Sequence, residues 1–314
     1  MYKALVIGCG NIGALYDLSN DQVLTHAKAL HLDGRFSLSV FDINKALARA
    51  IADKYNCEMV EELNEENLSL FDCISICTPT NTHTQFIKQA IHSKVKVIIC
   101  EKPVSNDHEE LAGILTTYSR ATSKIIINYI RRFQPAFIEL KATVSTVIKS
   151  EMVTNICIRY HRGFINNCSH AFDTIEYLTS SEMELNDVKI HNRTFDHFED
   201  DPTLSLQAMW HSANVSITGL SNVRFSHFEI DIYFEHHKIC IKNAGQNITV
   251  YKSGHGQVLQ PLVIQHHLKR ANCLQDYMKH IIDHAHRLLE EKEYPDNFFH
   301  SVNLNLRMLN YMNN

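Results

Sequence analysis

The first thirteen residues constrain the fold more than any other stretch. Ala4-Leu5-Val6-Ile7 is an unbroken apolar run, and Gly8-Cys9-Gly10-Asn11-Ile12-Gly13 follows it directly. An apolar run without alternation reads as a parallel strand covered on both faces. In a G-x-G-x-x-G turn the first glycine allows a tight exit from the strand. The second lets a pyrophosphate approach the backbone, and the third lets the next helix pack closely. A helix is expected from Asn11, its first N–H groups and positive dipole end facing the phosphates. The motif alone is weak, but here a strand precedes it and a helical pattern follows.

Bulk composition narrows the classes. The chain has 314 residues, 45% apolar and 21% charged, with a net charge of −5. That length allows two domains. The acidic balance argues against a nucleic-acid surface. No apolar run approaches the roughly eighteen residues of a membrane span, and no signal peptide is read at the N-terminus. Nine cysteines, several inside apolar runs (Cys73, Cys77, Cys100, Cys157), read as reduced thiols of a cytoplasmic protein.

Strands and helices alternate over the first part. Strands are expected at 36–41, 57–60, 71–77, 95–100 and 124–130. Helices are expected at 24–32, 46–55, 82–92 and 107–120, with a polar break at 17–22. This alternation implies βαβ units and a doubly wound parallel sheet. After a helix at 134–148 the pattern turns to strands in series: 154–162, 188–193, 204–211, 215–219, 227–234, 238–242 and 248–251. Helices at 268–292 and 297–311 close the chain. The fold class is α/β, with an N-terminal Rossmann parallel sheet (1–125). The C-terminal domain (126–314) is α+β, on a large, mostly antiparallel sheet. Apolar residues such as Ile230, Ile232 and Phe234 would pack on helices or meet a second subunit, so a homodimer or homotetramer through that sheet is expected.

Ligands bind beyond the carboxyl ends of strands in such sheets. Asp42 ends the second strand. It would accept both ribose hydroxyls of an adenosine and repel a 2′-phosphate, favouring NAD over NADP; the alternative is a cap for the next helix. Thr78-Pro79-Thr80-Asn81-Thr82-His83 would line the cofactor, with Asn81 or Thr82 as an alternative helix cap. Lys102, in Cys100-Glu101-Lys102-Pro103, lies where a low dielectric lowers a lysine pKa and suits it to proton transfer. The alternative is a surface ion pair with Glu101. His170 and Asp173, i and i+3 on one helix face, form a candidate acid/base pair; the alternative is Ser169 as a helix cap with an ordinary exposed pair. Arg131, Arg132, Arg162 and Asn167 would bind a carboxylate or diphosphate, or form structural ion pairs.

Gly8 to Gly13, Glu101-Lys102-Pro103, Arg131-Arg132-Phe133-Gln134-Pro135 and Ser169-His170-Ala171-Phe172-Asp173 together resemble the Gfo/Idh/MocA oxidoreductase family over essentially the whole chain. The family's usual glycine before the histidine is Ser169 here. The resemblance implies a nicotinamide-dependent dehydrogenase of sugars, inositols or nucleotide-linked sugars. It makes Lys102 and His170 the proton-transfer residues, with Asp173 supporting His170 or touching substrate. It places Glu101 and Lys102 beside the nicotinamide ribose. Tyr160-His161-Arg162-Gly163-Phe164 with Asn166-Asn167 resembles a subset found with bacterial surface-polysaccharide enzymes; Arg131, Arg162, Asn166 and Asn167 are the substrate-binding candidates. The implied reaction moves hydride between a secondary hydroxyl and nicotinamide, giving a keto-sugar or the reverse.

Two other classes compete. His280 and His284 sit four apart on a helix, but a catalytic zinc needs a third ligand and an open position, so no metal is assigned. A catalytically silent NAD sensor or regulator would be expected to lose the lysine or histidine, and this chain keeps both.

Overall fold

The computed structural model describes residues 1–254, 260–291 and 293–313. The chain forms two compact units. One is Met1–Phe133 with Asp276–Leu306; the other is Gln134–Gln275 with the residues from Arg307.

The first unit is built on six parallel strands. They are β1 (Tyr2–Ile7), β2 (Phe36–Phe41), β3 (Glu58–Met59), β4 (Cys73–Ile76), β5 (Val97–Cys100) and β6 (Lys124–Ile127), in the order β3-β2-β1-β4-β5-β6. The apolar runs become central strands because both faces are covered: Ala4, Leu5 and Val6 are all fully buried. The connecting helices are α1 (His26–Leu32), α2 (Lys45–Tyr55), α3 (Glu65–Leu68), α4 (His83–His92) and α5 (His108–Tyr118). Asn44 caps α2 and Asp107 caps α5 through their side-chain oxygens. Expected strand and helix positions agree to within a few residues; α3, a single turn, is additional.

The expected helix at Asn11 is a five-residue wide turn, Asn11–Leu15. Leu15 N–H reaches Gly10 O at 3.1 Å and Tyr16 N–H reaches Asn11 O at 3.0 Å. The regular helix waits for His26. The reason is Asp17, fully buried, whose carboxylate accepts from Leu24 N, Thr25 N and Thr25 Oγ1 at 2.6–2.8 Å. The polar break folds back on this carboxylate and restarts the helix at Thr25.

The closing helices also differ from expectation. The penultimate helix, expected from 268, begins only at Tyr277; Lys292, its expected last residue, lies outside the described residues. Once the two helices of the second unit are numbered α6 (Pro135–Val147) and α7 (Ser169–Thr179), it is α8 (Tyr277–Glu290), and the last is α9 (Phe298–Asn313). The sequence reading assigns both to the second domain. The contacts instead group Asp276–Leu306 with the parallel sheet. Met278, Ile281, Ile282, Ala285 and Leu288 share a core with Val6, Val40 and Ile99, the spacing of one helix face. Asp296 and Asn297 then cover the sheet edge. Asp296 Oδ2 accepts from Ile125 N at 2.8 Å, and Asn297 exchanges two 2.8 Å bonds with the Ile127 backbone. An open strand edge needs such cover.

The second unit carries an eight-stranded sheet. Its strands are β7 (Val153–Tyr160), β8 (Leu185–Thr194), β9 (Thr203–Trp210), β10 (Ala213–Gly219), β11 (Phe228–Phe234), β12 (His237–Lys242), β13 (Asn247–Ser253) and β14 (Leu262–Ile264). The order is β14-β13-β12-β11-β7-β10-β9-β8, and only β7 and β10 pair in parallel. β14 was not expected from sequence. Ile230, Ile232 and Phe234 are buried within this chain. They are core residues and are not available to a second subunit. The opposite face presents Asn155, Gln207, Asn214 and Ser216 around a depression of about 560 Å³.

Replacing Asn297 with Ala should destabilise the chain by about 1–3 kcal/mol, since it leaves a buried N–H and C=O of β6 unpaired. Urea unfolding measures this, and an unchanged midpoint would refute the edge-cover role.

Candidate functional site

Chemistry-bearing residues of the first unit collect beyond the carboxyl ends of β1, β2, β4 and β5. Gly8 has φ +95°, and a Cβ there would meet Cys77 O at 2.8 Å. A Cβ on Gly13 would lie 1.9 Å from Gly8 O. A Cβ on Gly10 meets nothing within 4 Å. Two glycines are therefore demanded by the protein's own packing, and the middle one borders open space. That is the cradle a diphosphate requires.

Asp42 is anchored to this loop. Its Oδ2 accepts from Cys9 N at 2.7 Å and its Oδ1 from Asn44 N at 2.8 Å. Asn44 performs the helix capping, so the capping alternative for Asp42 falls away. Each carboxylate oxygen keeps a lone pair for a further donor.

The loop after β4 is internally tied. Thr82 Oγ1 donates to Thr78 Oγ1 or Pro79 O, each 2.7 Å away. His83, placed among cofactor contacts by the sequence reading, is 1% exposed. Its ring nitrogens lie 2.8 Å from Pro103 O and Thr78 O. It bolts two loops together and has no ring nitrogen left for a ligand. Burial lowers its pKa against the raising effect of those carbonyls. Thr80 and Pro79 remain at the surface of the loop.

Glu101 is held by partners the sequence did not reveal. His26 Nε2 lies 2.8 Å and Asn128 Nδ2 2.6 Å from the same oxygen, Oε1. Burial pushes the Glu101 pKa up. The His26 and Asn128 contacts and the Lys102 charge outweigh it, so the carboxyl is held below its ordinary value. Glu101 is thus ionised and oriented, and Lys102, half-buried beside it, is the adjacent cation. The Lys102–Pro103 peptide is cis. Arg131, a substrate candidate, is only 5% exposed.

The second unit gathers the rest. After β7 the chain turns at Gly163 (φ +81°), where a Cβ would strike Asp201 Oδ2 at 2.3 Å. A wide turn, Phe164–Cys168, leads straight into α7. Four consecutive N–H groups are satisfied by Asp201 to Thr203. Gly163 N reaches Thr203 Oγ1 (3.1 Å), Phe164 N reaches Pro202 O (2.9 Å), and Ile165 and Asn166 N reach the two Asp201 oxygens (2.7 Å each). These are the orphan donors of a helix start. Ser169, read as the cap, is instead fully buried inside the helical run. His170 is half-buried with its ring 6.4 Å from Phe228, and Asp173 is 1% exposed. Asn167 Nδ2 donates to His161 O at 2.6 Å, which fixes the turn from within. Arg162 is exposed, its guanidinium 5.7 Å from the Phe198 ring centre. His284, half of the candidate metal pair, lies between the rings of Phe133 and Tyr294 at 4.8 Å, and burial lowers its pKa to about 4.

Residues 2–129 match the family model described as an oxidoreductase family, NAD-binding Rossmann fold, Gfo/Idh/MocA. The match covers residues 2–129 and is to the NAD-binding Rossmann domain of Gfo/Idh/MocA oxidoreductases. Inositol 2-dehydrogenase of Rhizobium meliloti (strain 1021) is 29% identical over 191 residues, 60% of this chain and 51% of that protein. The chain spans about half the length of the first curated relatives it matches. Two solved structures share the fold across nearly their whole length. UDP-N-acetylglucosamine 3-dehydrogenase from Acidithiobacillus ferrooxidans has a TM-score of 0.76 at 17% identity, covering 99% of this chain and 96% of its own. A super-repressor mutant of Gal80p from Saccharomyces cerevisiae has a TM-score of 0.77 at 13% identity, covering 99% and 95%.

The glycines of the loop separate by substitution. Gly13→Ala should lower stability by several kcal/mol or abolish folding, since the new Cβ meets backbone. Gly10→Ala should cost about 1 kcal/mol or less. Thermal unfolding of both variants tests this, and equal loss would overturn the reading of the loop.

Proposed function

We propose that the protein is an NAD-dependent oxidoreductase acting on a secondary hydroxyl of a sugar or cyclitol, a nucleotide-linked sugar being the favoured class. The observation that carries this is the first unit's set of strand-end groups. The Gly10 cradle is open, Asp42 is fixed beside it, and Glu101 is ionised and oriented next to Lys102. These groups fit a dinucleotide: backbone at Gly10 to Ile12 for the phosphates, and Asp42 for the adenosine ribose. Thr78 to Thr80 and Glu101-Lys102 would meet the nicotinamide half. The Asp42 carboxylate would repel a 2′-phosphate, so NAD is preferred to NADP. When bound, the nicotinamide supplies the hydride acceptor or donor. Lys102 and His170 are the two groups suited to take the hydroxyl proton and return it. Asp173 orients His170 or meets the substrate, while Arg162, Asn166 and Asn167 are the substrate candidates of the second unit. The curated relatives named inositol dehydrogenases, and the solved UDP-sugar dehydrogenase, support this substrate class.

A second reading has its own support. The likeness to the Gal80p super-repressor mutant brings in a protein of this fold named for repression. A silent NAD-binding regulator would bind cofactor and leave every substrate untouched.

Titration with NAD and NADP, followed by a panel of myo-inositol, glucose and UDP-N-acetylglucosamine monitored at the NADH absorbance, separates the readings. Tighter NAD binding with turnover of one compound is expected, and Lys102→Met should lower kcat by on the order of 10²–10⁴-fold with NAD affinity retained. A fully active Lys102→Met protein would sink the lysine's role, and NAD binding without turnover would favour the regulator.

Self-association remains part of the proposal, with the depressed, polar sheet face around Asn155 and Gln207 as the surface for a second copy. Light scattering at micromolar concentration should give at least a dimer; a monomer would refute it.

A further inference from the structure

We propose that Asp201 is the positioning residue for His170: by accepting the N–H groups of Ile165 and Asn166 it fixes the start of the helical run that carries His170 and Asp173. The proposal rests on the dehydrogenase reading for its catalytic consequence, but its structural half stands alone.

Three observations carry it. Asp201 is 3% exposed, and both of its oxygens are committed at 2.7 Å to adjacent backbone donors. Gly163 is fitted to the same carboxylate, since a Cβ there would overlap Oδ2. The gripped turn then runs without interruption into α7, whose second residue is His170. The wide turn has no side-chain cap of its own. A carboxylate at this place both pairs the donors and meets the positive end of the helical run. Asp201 does not touch the reacting atoms on this account; it acts through the backbone of 164–168.

The grip depends on pH. Burial raises the Asp201 pKa to about 6, overcoming the three backbone bonds from Ile165, Asn166 and Phe164 that lower it. The neighbouring titratable groups are Asp200 on its own loop, Cys168 at the end of the turn and Tyr160 on β7. A carboxyl raised in the folded state contributes stability most fully below its unfolded pKa, and that contribution is lost as pH rises through about 6. Acid therefore does not unfold the chain through this group. Acid favours the closed turn, because opening it would expose the carboxyl to solvent, where it holds the proton less tightly.

Hydrogen exchange resolved over 163–172 tests this on the whole chain, in the parent and in Asp201→Asn. After correction for intrinsic rates, the parent should show roughly tenfold more protection at pH 5 than at pH 7.5, confined to this segment. Asp201→Asn should be weakly protected at both, with NAD affinity and the protection of the first unit unchanged as the check on folding. With a substrate found by the panel above, Asp201→Asn should lower kcat by on the order of 10²-fold with little change in the KM for NAD. Equal protection in parent and variant at both pH values would overturn the proposal, as would an unaltered kcat. Should the parent turn over nothing, the dehydrogenase reading falls, and the exchange result alone decides whether Asp201 fixes the start of α7.

Discussion

The Gly8 carbonyl oxygen occupies the space a side chain at Gly13 would need, 1.9 Å from the position of its Cβ. This contact allows the chain to leave β1, turn and return within five residues. Gly8 N donates to Phe41 O and Cys77 N to Ile7 O, both at 2.8 Å, so the turn is pinned between β2 and β4 on either side of β1. The strand order reverses there, which is where open α/β sheets bind their ligands. A larger residue at either glycine would push the loop off its neighbours. The central strand ends, and with them the positions of Asp42, Thr78 and Glu101, follow from that one close approach.

The loop carries no lysine or arginine, and the five-residue turn after it offers little macrodipole. Its attraction for a phosphate rests on backbone N–H groups beside an open Gly10. Acidic side chains surround it under restraint. Asp42 is held by two backbone donors, and Glu101 by His26 and Asn128 on a single oxygen. Carboxylates held in this way keep a fixed orientation toward the strand ends. The thiols add nothing to this chemistry: burial pushes Cys9 up to about 12 and keeps it protonated.

Most of the fold was legible because its signals are periodic. Parallel strands show as apolar runs, and antiparallel strands such as β9 and β10 show as alternation. What escaped was written in single polar residues. Asp17 and Asp201 lie in aperiodic polar stretches, where a buried carboxylate looks like any solvated one. His26 sits at the start of an ordinary helix, and only a contact across 75 residues makes it the partner of Glu101. His83 escaped in the opposite sense. Its residue type suits ligand binding, but packing turned it into a bolt between loops. The closing helices were misassigned because chain order was taken for domain order; the apolar face of α8 was visible, and its destination was not.

One device recurs in both units. Asp17, fully buried, accepts from Leu24 and Thr25 just before α1, whose first residue is His26. Asp201, buried likewise, accepts from Ile165 and Asn166 ahead of α7, whose second residue is His170. Burying a carboxylate is unfavourable unless donors meet it, and the start of a helix supplies several unpaired donors together with a positive dipole end. One contact therefore offsets part of the cost to the carboxylate and meets the need of the helix. What remains is a helix whose first turn cannot slide, and a histidine in that turn whose ring is placed by backbone geometry. In the first unit that histidine orients Glu101. In the second it is the proton carrier of the proposed reaction, so the precision of the chemistry would rest on an aspartate that never meets the substrate.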